Sequence, residues 1–246
     1  MREQGWSDNI LRWTSSFLKD RYVQVRYLGG TTTPQKLVCG VPQGSPVSPL
    51  LFLLYLAEPM KSGNSRARFA YADDIGILGI GRTISESASK AQQEVDSLLE
   101  WARNNAVSFD KQKSEMIQFH GRRQEDPVST LVSGRTIDPA EHIRWLGVHL
   151  DNRLNFKHHV ASWCTKALKV AHHLRRLNAI KRGAAPKALI TAVEACVVSV
   201  ATYGADVWWP GTSRPTKKGI TTPQTTHLCT LIDKVIHQGL RAALPV

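Results

Sequence analysis

Two adjacent carboxylates at a predicted β-hairpin tip constrain this chain more than any other feature. Asp73 and Asp74 end the sequence Tyr-Ala-Asp-Asp at 71–74, between the apolar runs 67–70 and 75–78. The apolar runs predict strands that fix the tip, and neighbouring carboxylates there repel each other unless a cation lies between them. A turn that serves folding alone favours Asn-Gly or Asp-Gly. The segment therefore predicts a hairpin that binds a divalent metal ion.

A loop punctuated by glycine and proline precedes the hairpin and leads into an apolar helix. Ser48 can cap the free amides of this helix, and the proline that follows suits its first position. Residues 50–57 are apolar on every side, which predicts a buried helix. Within the loop, Gln43 and Ser45 offer polar contacts to whatever the loop faces. Taken alone, the loop is also explained as a plain helix-entry turn, because glycine and proline are ordinary in loops.

In this order and spacing, the loop and the hairpin resemble the reverse transcriptases of non-LTR retrotransposons. The two matching sequences are Pro-Gln-Gly-Ser-Pro at 42–46 and Phe-Ala-Tyr-Ala-Asp-Asp at 69–74. Lys-Ser at 113–114 and Trp-Leu-Gly-Val at 145–148 resemble the family's next two motifs. Flanking elements near both ends look like further parts of these proteins, particularly of fungal and insect jockey-like relatives. The resemblance therefore covers nearly the whole chain.

The resemblance implies an RNA-directed DNA polymerase that works by two-metal nucleotidyl transfer to a primer 3′-hydroxyl. Asp73 would be the principal metal ligand, and Asp74 would assist less directly. Hard oxygen ligands and phosphate chemistry favour Mg²⁺, with Mn²⁺ as a substitute. The implied partners are an RNA template, a DNA primer and deoxynucleoside triphosphates.

The resemblance also assigns residues to the nucleotide, the template and the primer. Tyr71 would pack beneath the primer end, and a turn formed by Trp145, Leu146 and Gly147 would support the primer strand. Lys113 would lie near the outgoing pyrophosphate as a general acid, or else be a strand-end lysine in solvent. The residues implied to line the nascent base pair are Gln43, Gly44 and Ser45.

One expected element of this family has no counterpart in the sequence. In the family, a first palm strand upstream carries another metal-binding Asp. Glu3 and Asp8 are the only acids in the first eighteen residues, and neither lies in an apolar alternating run. We therefore expect a truncated chain that is inactive alone, and a non-catalytic, nucleic-acid-binding remnant of a retroelement remains the alternative. An unrelated nucleotidyltransferase is disfavoured by the Pro-Gln-Gly loop.

The composition agrees with a polyanionic partner. The formal net charge is +12, from 32 Lys plus Arg against 20 Asp plus Glu, and such an excess favours nucleic acid through counterion release. No signal peptide or membrane span is visible, because the longest apolar stretch is far too short. We expect an intracellular protein, and the resemblance alone implies the nucleus. Four scattered cysteines predict buried free thiols, with neither a disulfide nor a zinc site.

The order of elements predicts an α+β fold, in which a partial polymerase palm of antiparallel strands backed by helices precedes a helical, thumb-like region. A helix at 6–20, a strand at 22–27 with a partner at 36–39, and a capping box formed by Thr83 and Glu86 are predicted first. Further strands are predicted at 107–109, 116–119 and 143–150, and a loop at 121–127. The predicted domains are 1–125 (palm), 126–155 (end of the palm with a primer-grip-like turn), 156–210 (thumb-like region) and 211–246 (linker and terminal helix).

The helical region is markedly basic on one face of its first helix. The basic residues are Lys166, Lys169, His173 and Arg176, opposite an apolar face formed by Val160, Cys164, Ala167, Ala171 and Leu174. The basic face would hold phosphates of a primer–template duplex, or it would be an ordinary solvated surface.

Three further expectations concern the rest of this region. A second helix at 186–201 leads to Trp208 and Trp209, which we expect to be packing anchors rather than platforms for bases. The paired histidines at 158–159 and 172–173 lack the spacing of known zinc motifs. A last helix, with apolar residues from 228 to 240, should need a partner outside the chain.

Overall fold

The computed structural model describes residues 1–62, 66–120, 126–178, 183–209, 211, 214–216, 219–221 and 226–243. The chain divides into two compact units. One comprises Met1–Lys111 with Leu131–Arg135, and the other comprises Gln112–Thr130 with Thr136–Val246. No helix among the described residues is long and apolar enough to cross a membrane.

The first unit combines helices with short strands. Its elements are α1 (Asp8–Leu18), β1 (Arg21–Val23), β2 (Arg26–Tyr27), β3 (Gly30–Thr31), β4 (Gln35–Leu37), α2 (Ser48–Lys61), β5 (Arg68–Tyr71), β6 (Asp74–Ile77) and α3 (Ile84–Asn104). The helix predicted at 6–20 is thus confirmed as α1.

The second unit is mainly helical after its opening strands. Its strands before the helices are β7 (Met116–Ile117), β10 (Pro139–Ala140), β11 (His142–Trp145) and β12 (Val148–Asp151). Two further strands, β8 (Thr130–Val132) and β9 (Arg135–Ile137), each have residues in both units. The helices are α4 (Lys157–Asn178), α5 (Pro186–Val193), a π-helical turn (Glu194–Val198), α6 (Ser199–Ala201), α7 (Ala205–Trp208) and α8 (Thr226–Ala243), with β13 (Arg214–Thr216) and β14 (Gly219–Thr221) before α8.

The α+β class is confirmed, but the strands are short and pair two by two. Each sheet among the described residues has two strands, and β7 pairs with β10 in parallel. The strand predicted at 107–109 does not form. Ala106 takes a left-handed φ of 53°, and the Val107 amide donates to the Ala102 carbonyl at 2.9 Å. The segment therefore forms the end of α3, because the Val107 amide caps the C-terminus of that helix instead of bonding to a neighbouring strand.

The strand predicted at 22–27 is broken in the middle. β1 pairs antiparallel with β4, with Tyr22 opposite Lys36, which confirms the predicted partner. At the break, the Val25 amide donates to Thr32 Oγ1 at 3.0 Å. A side-chain acceptor thus replaces one ladder bond, and β2 begins only after it.

The predicted burial of the helix at 50–57 is wrong for one side of α2. Leu50 is 60% exposed and Leu53 is 50% exposed, whereas Leu56 is buried. α2 contacts β5, and Tyr55 of α2, although 43% exposed, donates to the Asn105 carbonyl after α3. Ser48 is itself helical, and its hydroxyl donates to the Pro42 carbonyl at 2.6 Å instead of capping the helix.

Thr83 caps α3 as the predicted capping box requires, but Glu86 accepts from the Arg82 amide instead of the Thr83 amide. Thr83 Oγ1 accepts from the Glu86 amide at 3.1 Å, and the Glu86 carboxylate accepts from the Arg82 amide at 2.8 Å. The hydrogen bond from Lys90, followed by the bond from Arg82, lowers the pKa of Glu86. These contacts fix the helix start that follows the acidic hairpin.

The core of the second unit lies between α4, the α5–α6 segment and α8. The apolar face predicted on α4 is buried, and the helix predicted at 186–201 has those bounds, with a π-helical turn inside it. Trp208 is buried as predicted. Trp209 is 47% exposed, so the prediction that it is a packing anchor is wrong.

The prediction that the last helix needs an outside partner is also wrong. Leu228, Ile232 and Val235 of α8 are buried in the same core as α4 and α5. The predicted linker at 211–226 is described only in part, where β13 and β14 pair antiparallel. Residues 121–125 of the predicted loop lie outside the described residues.

The cysteines are all free, as predicted, but not all of them are buried. Cys164 is buried, and burial raises the pKa of its thiol. Cys39 and Cys196 are exposed, which corrects the expectation for these two. Cys39 lies in a bend after β4 and Cys196 in the π-helical turn, both at the surface, where packing does not cover the thiol.

Candidate active site and nucleic-acid contacts

The acidic segment forms the predicted hairpin. β5 pairs antiparallel with β6, and Tyr71 lies opposite Asp74, so the turn consists of Ala72 and Asp73 alone. Ala72 has a left-handed φ of 52°. The short turn places the Asp73 side chain at the tip and Asp74 at the first position of β6, as the sequence predicted.

The two carboxylates at this tip are exposed. Within the described residues, neither carboxylate pairs with a cation or accepts a hydrogen bond. No group of three or more His, Cys, Asp or Glu suited to a metal ion occurs in the described part of the chain. Tyr71, beside them, is 65% exposed. The tip therefore offers two carboxylates and an aromatic ring to a ligand.

A buried arginine anchors the base of this hairpin. Arg68, the first residue of β5, has a side chain that is only 1% exposed and pairs with the Glu94 carboxylate of α3 at 2.7 Å. Its guanidinium also donates to the Pro59 carbonyl of α2 at 2.7 Å and to the Glu94 carbonyl at 3.2 Å. One side chain thus joins β5 to α2 and α3.

Sequence reasoning missed Arg68, although a charged residue within an apolar strand is a usable signal. A buried guanidinium needs an acidic partner and further acceptors, since an unpaired buried charge is strongly unfavourable. The sequence separation of 26 residues between Arg68 and Glu94 hides that partner from local patterns.

The Pro-Gln-Gly loop is a turn that enters α2. The Ser45 hydroxyl accepts from the Val47 amide at 3.3 Å, and the Ser45 carbonyl accepts from the Ser48 amide at 3.2 Å. Gly44 has φ +87°, a conformation that favours glycine. Gln43 is exposed. The loop therefore presents Gln43 and Gly44, while Ser45 also serves the helix entry.

A second hairpin contains the predicted primer-grip turn. β11 pairs antiparallel with β12, and Trp145 lies opposite Val148, so Leu146 and Gly147 alone form the turn. Both have positive φ, 46° and 83°. A two-residue hairpin turn of this kind normally contains Asn-Gly or Gly-Gly, so a leucine at the first position is unusual.

Two aromatic side chains from the helical region hold this turn. The Tyr203 hydroxyl donates to the Leu146 carbonyl at 2.8 Å, and Trp163 Nε1 of α4 donates to the Gly147 carbonyl at 3.2 Å. The Trp163 and Tyr203 rings stack with their centroids 4.2 Å apart. We call this stacked pair the aromatic clamp; the sequence analysis did not identify it.

A buried histidine supports the aromatic clamp. His159 Nδ1 accepts from the His149 amide at 3.2 Å, so its proton lies on Nε2, which donates to the Tyr203 carbonyl at 2.9 Å. Burial lowers the pKa of His159, and the nearby charges of Lys166 and His158 lower it further. The hydrogen bond to Tyr203 raises this pKa and so opposes the effect of burial. His159 is therefore a neutral structural residue rather than a metal ligand.

The predicted basic face of α4 is exposed along its length. Its members are Lys166, Lys169, His173 and Arg176. The Lys166 ammonium lies over the Trp163 ring, 3.8 Å from the ring centroid. A cation–π contact of this geometry fixes one charge of the face beside the aromatic clamp.

Lys113 belongs to the second unit. It is exposed in a turn before β7 and not at the end of a strand.

The comparison with known families agrees with the motifs. A family model described as reverse transcriptase (RNA-dependent DNA polymerase) matches residues 4–150, more than half of the chain. The chain belongs to the reverse transcriptase family. The matched region contains the Pro-Gln-Gly loop, the acidic hairpin and the Leu146-Gly147 turn of this reverse transcriptase chain.

Curated relatives place it among the reverse transcriptases of non-LTR retrotransposons. It is 28% identical, over 60% of its length, to the "RNA-directed DNA polymerase from mobile element jockey" of Drosophila melanogaster, of which it covers 17%. It is 27% identical, over 78% of its length, to a Drosophila melanogaster protein named for transposon BS, of which it covers 22%.

A third relative comes from another insect. The "Retrovirus-related Pol polyprotein from type-1 retrotransposable element R1" of Nasonia vitripennis is 28% identical over 70% of the chain, which covers 53% of that protein. The chain spans about a fifth of the length of most of the curated relatives it matches. No solved structure matches this chain.

Proposed function

We propose that this chain carries the catalytic hairpin of an RNA-directed DNA polymerase, which adds deoxynucleotides to a primer 3′-hydroxyl on an RNA template. The observation that carries the proposal is the pair of exposed carboxylates, Asp73 and Asp74, which have no partner among the described residues and lie at the tip of a hairpin whose base is anchored. In a reverse transcriptase, carboxylates that do not bond to other protein groups can bind the metal ions and the substrates.

The two carboxylates at the tip would supply some of the oxygen ligands of a Mg²⁺ ion. Mg²⁺ typically binds one or two carboxylates together with waters and substrate phosphates, and Mn²⁺ accepts the same hard oxygen ligands. Asp73 would be the principal ligand, and Asp74 would assist. When bound, such ions lower the pKa of a primer hydroxyl and neutralise developing phosphate charge in two-metal transfer.

The other residues of the proposed site bind and orient. Tyr71, exposed beside the carboxylates, would pack beneath the primer end, and Gln43 with Gly44 and Ser45 would line the nascent pair. Lys113 would donate a proton to the outgoing pyrophosphate as a general acid. Each of these roles rests on the family, together with the exposure of Tyr71, Gln43 and Lys113.

The nucleic acid would be held by charge. The net charge of +12 and the exposed basic face of α4 both favour phosphates, and the Leu146-Gly147 turn would support the primer strand. We propose that 1–125 and 126–155 correspond to palm, 156–210 to a thumb-like region and 211–246 to a linker with a terminal helix. Copying of an element at its chromosomal target would place the activity in the nucleus.

We further propose that these 246 residues alone do not polymerise. Two-metal transfer requires enough ligands to hold both ions. The described residues bring two carboxylates together at the tip and no third ligand beside them. The second candidate function is nucleic-acid binding without catalysis, which the exposed basic face favours.

Primer extension on an RNA template, with Mg²⁺ or Mn²⁺, tests these proposals. The purified chain is compared with a variant that combines Asp73→Asn with Asp74→Asn. We expect no extension by either protein and salt-sensitive binding of a primer–template duplex by both. Extension by the wild type that the variant lacks would overturn the proposed inactivity and place catalysis at this tip. Absence of duplex binding would contradict both candidate functions.

A further inference from the structure

The Leu146-Gly147 turn has a backbone conformation that leucine rarely adopts. Leu146 lies in the left-handed region at φ 46°, and the residue is 39% exposed. A bulky residue in this region is strained, and such strain persists only where surrounding contacts determine it. The contacts that determine it here come from outside the hairpin.

The aromatic clamp supplies those contacts. It satisfies the two carbonyl oxygens of the turn through two different donors, the Tyr203 hydroxyl and the Trp163 indole. A Cβ atom on Gly147 would lie 2.8 Å from Tyr203 Oη, so the tyrosine closes directly over the turn. The turn is thereby fixed in both conformation and position relative to α4.

The aromatic clamp is itself held from behind. The Tyr203 carbonyl accepts a hydrogen bond from Nε2 of buried His159, and His159 Nδ1 accepts one from the His149 amide of β12. A Cβ atom on Gly204 would lie 3.2 Å from His159 Nε2, so the segment after Tyr203 packs closely on the histidine. Hairpin, α4 and the Tyr203 segment therefore form one hydrogen-bonded assembly.

The exposed side of this assembly carries a positive charge. The Lys166 ammonium lies over the Trp163 ring, and Lys166 is exposed. Stacking on the ring orients the ammonium without removing it from solvent, so it remains able to contact a phosphate. A constrained apolar tip thus lies in the same assembly as a constrained cation.

We infer that Trp163 and Tyr203 are positioning residues that fix the Leu146-Gly147 turn against a primer strand, and that Lys166 binds a backbone phosphate of that strand. This inference rests on the proposed function, because it takes the turn to be a primer contact. It adds a pair of residues, 40 positions apart in sequence, and a defined phosphate contact to the proposed site.

The test uses the full chain and a DNA primer annealed to an RNA template, with 2-aminopurine at the primer 3′ end. Tyr203→Phe removes one hydroxyl and keeps the stacked ring. Tyr27→Phe is the matched control, since Tyr27 is 74% exposed. Fluorescence anisotropy reports total binding, and 2-aminopurine emission reports the surroundings of the primer end. A thermal melt shows that each variant is folded.

We expect Tyr203→Phe to bind the duplex with a Kd within about 2-fold of the wild type, because the basic face that dominates affinity is intact. The 2-aminopurine emission should return toward that of free duplex, whereas Tyr27→Phe should match the wild type. Wild-type emission from a folded Tyr203→Phe variant would overturn the positioning role. A merely structural tyrosine would change the melt and leave the emission of the bound duplex unaltered.

Lys166→Ala provides an independent measurement. It should reduce the slope of log Kd against log salt by about one unit, as expected for one lost phosphate contact. An unchanged slope would overturn the phosphate assignment. If the wild type binds duplex but its emission equals that of free duplex, the clamp inference fails while nucleic-acid binding stands. If the wild type does not bind duplex, the proposed function fails first and the inference fails with it.

Discussion

Two β-hairpins of this chain have turns of the same length but are held at opposite ends. The β5–β6 hairpin is fixed at its base, where Arg68 joins α2 and α3, and the carboxylates at its tip have no partner among the described residues. The β11–β12 hairpin is fixed at its tip, where the aromatic clamp satisfies both carbonyls of the turn.

This difference agrees with the two different roles that we propose for the hairpins. A tip that takes up a cation must keep its acceptors free, so its rigidity has to come from elsewhere. A tip that positions another molecule by its shape needs hydrogen-bond donors from the protein for its own carbonyls. A carbonyl without such a donor would bond to donors of the other molecule or to water. The comparison predicts where substitutions in each hairpin will be costly.

The largest expected effect is at the base of the acidic hairpin. Arg68→Ala removes the ion pair with Glu94 and the hydrogen bonds to the Pro59 and Glu94 carbonyls, and it should lower the free energy of unfolding by about 3–5 kcal/mol. Urea denaturation measures this loss. Arg103→Ala, at an exposed position of α3, is the matched control and should change stability by about 0.5 kcal/mol or less. Equal, small effects of both substitutions would show that Arg68 does not anchor the hairpin.

The tip of the second hairpin should be the next most sensitive position. Gly147→Ala places a methyl group 2.8 Å from Tyr203 Oη at a positive φ and should cost about 2–3 kcal/mol. Gly134→Ala has a similar φ of +80° with no heavy atom within 4 Å, so it measures the conformational cost alone, about 1 kcal/mol. Indistinguishable unfolding midpoints for the two variants would contradict a closed clamp.

A smaller effect is expected from acid. Burial lowers the folded-state pKa of His159 below 6.5, its ordinary value. The folded state therefore binds a proton less readily than the unfolded state, so stability is fully present above pH 6.5 and is lost as the pH falls through that value toward the folded-state pKa. Burial also lowers the pKa of His149, and this loss has the same sign.

Thermal melts between pH 7.5 and pH 5 check this expectation. The midpoint should fall across that range in the wild type and fall less in His159→Gln, whose side chain does not titrate. A midpoint that rises on acidification would contradict the neutral tautomer assigned to His159. It would also remove the support behind the aromatic clamp.

Local sequence patterns predicted a good part of this fold. The hairpin at 71–74, the capping box of Thr83 and the bounds of the helix at 186–201 follow from turn, capping and periodicity signals within a few residues. The buried face of α4 follows from helical spacing in the same way. In each of these segments the local preference and the tertiary surroundings agree.

The rest depends on contacts between distant residues. Tyr203 and Leu146 are 57 positions apart, and Arg68 and Glu94 are 26 apart, so no local pattern pairs them. The helix at 50–57 is apolar all round, yet which side is covered depends on the elements around it. Sequence likewise could not show that the core of α4 and α5 accommodates the last helix.

The proposed function requires Asp73 and Asp74, which have no partner among the described residues, to bind a metal ion. Electron paramagnetic resonance of Mn²⁺, titrated into the chain bound to primer–template duplex, tests it most directly, with the combined Asp73→Asn and Asp74→Asn variant as control. We expect the wild type to bind Mn²⁺ at a site that the variant lacks. Identical titrations of the two proteins would contradict it.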